Sequence, residues 1–110
     1  MTSSIKVVLI TAPDEDTAAP IARAVVEERL AACVNIVPRI RSIYRWQEKL
    51  IDEAEVLLIA KTDVDRVGAL VDRVKALHPY SVPEILALPI EIGAADYCDW
   101  VVQQTRPVAF

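Results

Sequence analysis

The chain has 110 residues, of which 54% are hydrophobic, and its formal net charge is −4 at pH 7. A chain of this length fits one domain, residues 1–110, and buries only about 60 to 70% of the surface that it exposes when unfolded. We therefore expect self-association to cover the surplus apolar surface. Binding of nucleic acid is not expected, because it needs clustered positive charge. Gly68 and Gly93 stand alone in the sequence, which excludes a P-loop and a dinucleotide-binding turn.

Hydropathy and cysteine spacing indicate a cytoplasmic protein. The longest apolar run, Val56 to Ala60, is far shorter than the roughly 18 residues of a membrane span, and no signal-type segment is recognised. Cys33 and Cys98 are too far apart for a redox dithiol or a zinc ribbon. Because free cysteine is among the most buried residue types, we expect two small buried side chains, with a ligand role as the alternative. A disulfide between them stays open, although a reducing compartment disfavours it.

The first two elements are predicted from short-range patterns. Ile5 to Ile10 is an apolar, β-branched run that predicts a buried strand. Apolar residues at helical spacing from Ile21 to Leu30 predict a helix. Because a proline is tolerated only in the first turn of a helix, Pro20 predicts an N-cap at Thr17 or Asp16.

A long β-hairpin is predicted from two β-rich stretches, Ala32 to Trp46 and Leu50 to Thr62. Pro38 cannot donate to a strand ladder, so it belongs on an edge strand or at a bulge, and the apolar alternation becomes mixed beyond it. Such a ribbon is too long for a domain of this size to cover. Its far half is expected to project and to pair with another chain.

Three further elements complete the chain. Asp63 is predicted to cap a helix that ends at His78, because a proline follows. Ile85 to Ile92 is predicted as a strand whose internal proline implies an edge or a bulge. Ala95 to Thr105 has helical spacing and predicts a last short helix, with Asp96 as its cap.

The order of elements predicts the fold class. Strand, helix, strand, strand, helix, strand, helix is the α+β order of a ferredoxin-like βαββαβ sandwich with a long β-hairpin and an extra C-terminal helix. In that fold the helices cover one face of an antiparallel sheet. The opposite apolar face is bare, so we expect subunits to cover each other's sheets.

Five strings, in order, resemble the CutA family: Arg29–Asn35, Ser42–Trp46, Ala60–Thr62, His78–Glu84 and Asp96–Trp100. They span essentially the whole chain. The resemblance implies a ferredoxin-like homotrimer whose hairpins pair between subunits. It also implies copper binding, divalent-cation tolerance and a response to metal ions, with no established enzymatic activity and no obligatory cofactor.

One proline-bounded segment carries the candidate metal chemistry. His78 is the only histidine, and Tyr80 and Glu84 follow it closely. Imidazole and carboxylate suit Cu(II), Zn(II) or Ni(II), so His78 and Glu84 are predicted metal ligands, whereas Cys33 is the predicted thiolate for a softer ion. As an alternative, His78 is a helix C-terminal residue that interacts with the negative end of the dipole.

Tyr44 and Trp46 lie on one face of the predicted hairpin strand, where packing at a subunit interface is the alternative to a binding role. The family resemblance implies an intersubunit pocket in which these two residues and Lys61 meet His78, Tyr80, Glu84 and Trp100 of a neighbouring subunit. A lysine beside the pocket carboxylate would favour an anionic small molecule as the ligand instead of a cation.

Two other functions stay open at this point. A trimeric regulatory module resembling the PII-type signalling proteins would bind a small ligand in such clefts. A trimeric scaffold would anchor partner proteins through its surface. Catalysis is not expected, because the sequence offers no set of nucleophile, base and orienting group.

Overall fold

The fold is built on an antiparallel sheet, which the computed structural model describes over residues 3–107. The strands lie in the spatial order β2-β3-β1-β4. Their bounds are β1 Ile5–Ala12, β2 Cys33–Trp46, β3 Lys49–Asp63 and β4 Ile85–Pro89. The helices are α1 Glu15–Glu27, α2 Val67–Leu77 and α3 Ala95–Gln104. This is the predicted α+β, ferredoxin-like arrangement with its long hairpin and added C-terminal helix.

The core lies between the sheet and helices α1 and α2. Val8 and Ile10 of β1 point to this side and are fully buried, as are Val56 and Leu58 of β3. Side chains alternate along a strand, so the neighbouring residues point to the other face. On that face Leu86 and Leu88 of β4 are 56% and 46% exposed, which leaves an apolar surface uncovered within one chain.

Helix α1 begins earlier than predicted. Its N-cap is Asp14, whose Oδ1 accepts a hydrogen bond from the backbone N–H of Thr17 at 2.8 Å. The prediction of Thr17 or Asp16 as the cap is therefore wrong. Pro20 lies in the second turn, where it removes the hydrogen bond to the carbonyl of Asp16. Both residues are exposed, so water can satisfy that carbonyl.

Helix α2 ends as predicted but does not begin as predicted. A short 3-10 turn, Val64–Arg66, separates Asp63 from the helix, and the Asp63 side chain makes no capping hydrogen bond. Asp63 ends β3 instead, and the turn carries the chain from the sheet into α2. At the other end His78 is the C-cap, in an extended conformation, with its N–H bonded to the carbonyl of Val74.

The C-terminal elements are shorter than predicted. Strand β4 ends at Pro89 rather than at Ile92, and it pairs with β1 alone, so this proline lies on a sheet edge as expected. Ala94 occupies the N-cap position of α3 without a side-chain hydrogen bond. Asp96 is not the cap: it lies in the first turn and accepts from the N–H of Tyr97, where its charge suits the helix dipole. No helix in the described range is long and apolar enough to cross a membrane.

Strand β2 contains the bulge that Pro38 predicts. Val37 pairs with Leu57 and Ile40 pairs with Glu55, so the ladder between β2 and β3 shifts register between these two pairs. Two residues of β2 stand opposite one residue of β3 there. The bulge and the edge position of β2 together accommodate a proline without an N–H.

The far half of the hairpin extends away from the core. Its turn residues Gln47 and Glu48 both have positive φ, 48° and 67°, which is typical of the type I′ turn of two-residue hairpins. Most side chains from Arg41 to Ala54 are exposed, including the large apolar Ile43 and Leu50. The expected projection is present, and pairing of this ribbon with another chain stays a prediction.

Candidate functional site

A pocket of about 420 Å³ opens between the far half of the hairpin and the loop that joins α2 to β4. Its volume is within the range of small-molecule sites. Its lining combines aromatic rings, carboxylates and small polar groups: Thr11, Tyr44, Trp46, Glu55, Tyr80, Ser81, Val82 and Glu84. Among the residues that the structure describes, no lysine or arginine lines it. The pocket therefore carries negative charge and aromatic surface together.

The β-bulge decides which β2 side chains reach the pocket. Beyond it, Ser42 pairs with Glu53, so the face of β2 that carries Tyr44 and Trp46 is also the face of Glu53 and Glu55. In a regular ladder these aromatic side chains would share the opposite face, with the core residue Val56. The bulge thus brings two rings beside two carboxylates.

Two tyrosine hydroxyls bind the hairpin carboxylates. Tyr44 donates to Oε1 of Glu53 at 2.6 Å, and Tyr80 donates to Oε2 of Glu55 at 2.9 Å. The bond to Glu53 raises the pKa of Tyr44 to about 12. Burial, followed by the bond to Glu55, raises the pKa of Tyr80. Both phenols therefore remain protonated donors at any physiological pH and hold the carboxylates in place.

A Glu53→Gln variant is expected to lower the pKa of Tyr44 toward its ordinary value of 10.0. The raised pKa means that folding favours the protonated phenol, so this contribution to stability is complete below pH 10.0 and is lost as pH rises through about 12. Tyrosinate absorbance, followed as a function of pH, measures the shift. Glu84→Gln is the matched control, because Glu84 accepts no bond from a tyrosine in the described structure. An identical titration of wild type and Glu53→Gln would contradict the assignment.

His78 lies behind the pocket wall, 8% exposed, with both ring nitrogens bonded to backbone. Nδ1 accepts the N–H of Tyr80 at 3.1 Å, which implies that Nε2 carries the proton and donates to the carbonyl of Thr11 at 2.7 Å. Its ring also packs on that of Tyr80, with centroids 4.7 Å apart. The imidazole can reach a metal ion only if one of these bonds is released. In this structure it positions Tyr80.

The other predicted metal ligands are far apart. Glu84 lines the pocket, but Cys33 stands opposite Lys61 in the β2–β3 ladder, and Lys61 stands opposite Val7. Val7 is four residues from Thr11 along β1, or roughly 13 Å, which separates Cys33 and Lys61 from the pocket. Within residues 3–107, no group of three or more His, Cys, Asp or Glu side chains is placed to hold a metal ion. The predicted metal set is therefore not brought together within one chain.

Trp100 and the cysteines also lie outside the pocket. Trp100 is on α3, where its ring packs on Tyr97 with centroids 5.7 Å apart. Cys33 and Cys98 are free thiols, and both are only half-buried. Full burial was the wrong expectation, because Cys33 begins the edge strand β2 and Cys98 packs at the margin of a small cluster under α3.

The sequence did not point to the pocket residues Glu55, Thr11 and Ser81, or to Glu53, which lies outside the pocket lining and accepts from Tyr44. Glu55 is the most informative of them, since it is a carboxylate only 6% exposed. One signal was present: Glu55 directly precedes the apolar run that begins at Val56. Its pairing with the aromatic face of β2 depends on the exact site of the bulge, which alternation alone does not locate.

The chain is similar to known proteins over nearly its whole length. The family model described as CutA1 divalent ion tolerance protein matches residues 6–104. The divalent-cation tolerance protein CutA of Thermus thermophilus is 57% identical over 100 residues, covering 91% of this chain and 97% of that protein. Human protein CutA is 49% identical over 106 residues, covering 96% of this chain but only 59% of the human protein's own length.

Solved structures agree with the fold. The Cut A1 structure from Thermus thermophilus superposes with a TM-score of 0.90 at 56% identity, covering 93% of this chain and 99% of that chain. CutA from Xylella fastidiosa gives 0.92 at 38% identity, covering 94% and 100%. CutA1 from Oryza sativa gives 0.91 at 45% identity, covering 96% of each chain.

Proposed function

Because the chain belongs to the CutA1 divalent ion tolerance protein family, we propose that it is a homotrimeric, non-enzymatic protein of the cytoplasm that binds divalent metal ions, copper foremost. Its role is in divalent-cation tolerance and the response to metal ions. The observation that carries the proposal is the carboxylate-lined pocket, in whose described lining no lysine or arginine occurs. Such a pocket attracts cations and disfavours the anionic ligand considered above.

The proposed ligands are carboxylate oxygens. Glu84 lies exposed at the pocket and Glu55 lies on its hairpin wall, with one oxygen of Glu55 held by Tyr80. Sites of oxygen and nitrogen donors bind Cu(II) more strongly than the other divalent first-row metals, which supports copper. Because the described part of one chain supplies no three-ligand group, a second copy completes the coordination.

Exposed apolar surface supports the homotrimer. Leu86 and Leu88 face away from the helices, and Ile43 and Leu50 lie on the projecting ribbon. The edge strands β2 and β4 also present unpaired backbone groups along their outer sides. In a homotrimer, strands of neighbouring copies pair along these edges, and the copies cover each other's apolar side chains. Assembly therefore satisfies both the unpaired backbone groups and the exposed apolar surface.

Calorimetric titration of Cu(II) tests the proposal. Glu84→Gln and Glu55→Gln are each expected to weaken Cu(II) binding by about tenfold or more, since loss of even an outer-shell partner has effects of this size. Zn(II) is expected to bind more weakly than Cu(II). The matched control is Glu91→Gln, which removes one exposed carboxylate outside the pocket. Absence of Cu(II) binding, or identical isotherms for all variants, would contradict the proposal.

A further inference from the structure

The pocket has a chemical signature that a metal ion does not explain. Three aromatic side chains, Tyr44, Trp46 and Tyr80, form its walls beside the carboxylates. Aromatic rings supply no ligand to a small divalent cation, which coordinates oxygen, nitrogen or sulfur atoms. Ring faces do attract organic cations, because the face of an aromatic ring carries partial negative charge. Rings and carboxylates in one cavity therefore match a different class of cation.

We propose that the pocket binds an organic ammonium ion, with its ammonium group at Glu55 and the carbon atoms next to the nitrogen, which share its positive charge, against the rings of Trp46 and Tyr44. Binding of an organic ammonium ion is a separate activity from the proposed metal binding, and it does not depend on that metal binding. It gives a definite chemical form to the small-ligand regulatory module that the sequence left open.

The hydrogen bonds of the hairpin carboxylates define where the ammonium lies. Tyr80 occupies Oε2 of Glu55, which lines the pocket, and residues 3–107 supply no donor to Oε1 of Glu55; Tyr44, beside it, is held by Glu53, which lies outside the pocket lining. A primary ammonium group carries three donors and can bond to such free oxygens. The two tyrosines thus fix the carboxylates while leaving acceptors for the ligand.

Charge and burial select a cation over a neutral ligand. Glu55 is 6% exposed, and a carboxylate this buried gains most from a positively charged partner. The described pocket lining contains no side-chain cation to fill that role. A neutral molecule of the same shape would contact the rings but would leave the carboxylate without a counter-charge.

The test uses two probes of equal length and different charge, n-butylammonium chloride and 1-butanol. Each is titrated into the assembled, metal-free protein and followed by NMR shifts of the tryptophan indole groups and by calorimetry. We expect saturable binding of n-butylammonium and much weaker binding of 1-butanol. Equal affinity for the two probes, or no binding of n-butylammonium, would overturn the proposal.

Variants locate the site. Trp46→Leu is expected to weaken n-butylammonium binding by about two- to fivefold, the size of an exposed cation–π contact. Trp100→Leu is the matched control, because Trp100 is 42% exposed, close to the 43% of Trp46, but lies outside the pocket. Glu55→Gln keeps the shape of the side chain and an acceptor for Tyr80 and is expected to weaken binding by more than Trp46→Leu. Equal effects of Trp46→Leu and Trp100→Leu would overturn the assignment to this pocket.

The two proposals fail separately. Cu(II) titration of the wild-type protein tests the metal function, whereas n-butylammonium titration of the metal-free protein tests the organic ligand. Binding of Cu(II) without n-butylammonium overturns only the ammonium site. Binding of n-butylammonium without Cu(II) overturns only the metal function and supports the ammonium site.

Discussion

A His78→Ala variant is expected to lower the free energy of unfolding by about 2 to 6 kcal/mol, even when no metal is present. The substitution leaves the carbonyl of Thr11 and the N–H of Tyr80 without their imidazole partner. Each buried polar group that loses its partner costs about 1 to 3 kcal/mol. Urea unfolding of chelator-treated protein measures the effect.

The His78 experiment separates a positioning role from a ligand role. Lys75→Ala, on the exposed side of the same helix, is the control and is expected to change stability little. If His78→Ala matched the wild type without metal and differed only with Cu(II) present, the imidazole would be a metal ligand. A loss of stability in metal-free protein supports the positioning role.

A Leu86→Glu variant is expected to dissociate the assembly into monomers at micromolar concentration. Leu86 is 56% exposed on the sheet face that the helices leave bare, beside Leu88. Covering a leucine contributes about 1.5 to 3 kcal/mol, and the variant replaces that gain with the cost of burying a carboxylate in every subunit. Sedimentation velocity measures the change.

The control for assembly is Ala76→Glu, which adds the same charge to the exposed surface of α2. It is expected to sediment like the wild type. A wild-type protein that sediments as a monomer would contradict the homotrimer. A trimeric Leu86→Glu protein would remove this sheet face from the interface.

The fold was predictable because most of its determinants are local. Alternation and helical spacing located the elements, and Pro38 correctly marked a bulge on an edge strand. Helix starts were less predictable. Asp14, Asp16 and Thr17 are all acceptable caps by residue type, and the choice depends on which backbone N–H each side chain reaches in the folded chain. The same holds for Asp96, which lies two positions beyond the N-cap residue Ala94, inside its helix.

The site was predictable only in part. Within one chain, Tyr44, Trp46, Tyr80 and Glu84 line one pocket without Lys61 and Trp100, and a contribution of Trp100 from a neighbouring subunit stays a prediction. Tyr44 and Trp46 share a strand face, and Tyr80 and Glu84 are near in sequence, so local geometry predicts each pair; the meeting of the two pairs depends on the tertiary fold. The position of Lys61 relative to the pocket depends on its pairing with Val7 in the sheet, four residues from Thr11. This pairing is set by the tertiary structure and is not visible in the sequence.

The bulge in β2 divides one continuous ribbon into two stretches whose even-numbered side chains face different surfaces. Before Pro38, the even-numbered side chains of β2, such as Ile36, pack toward the core; after it, even-numbered side chains face the pocket. Substitutions of the pocket-facing side chains in the outer stretch therefore leave the hydrophobic core untouched. The pocket lining can vary while the core stays constant, because the single extra residue of the bulge places the two sets of side chains on opposite faces of the sheet.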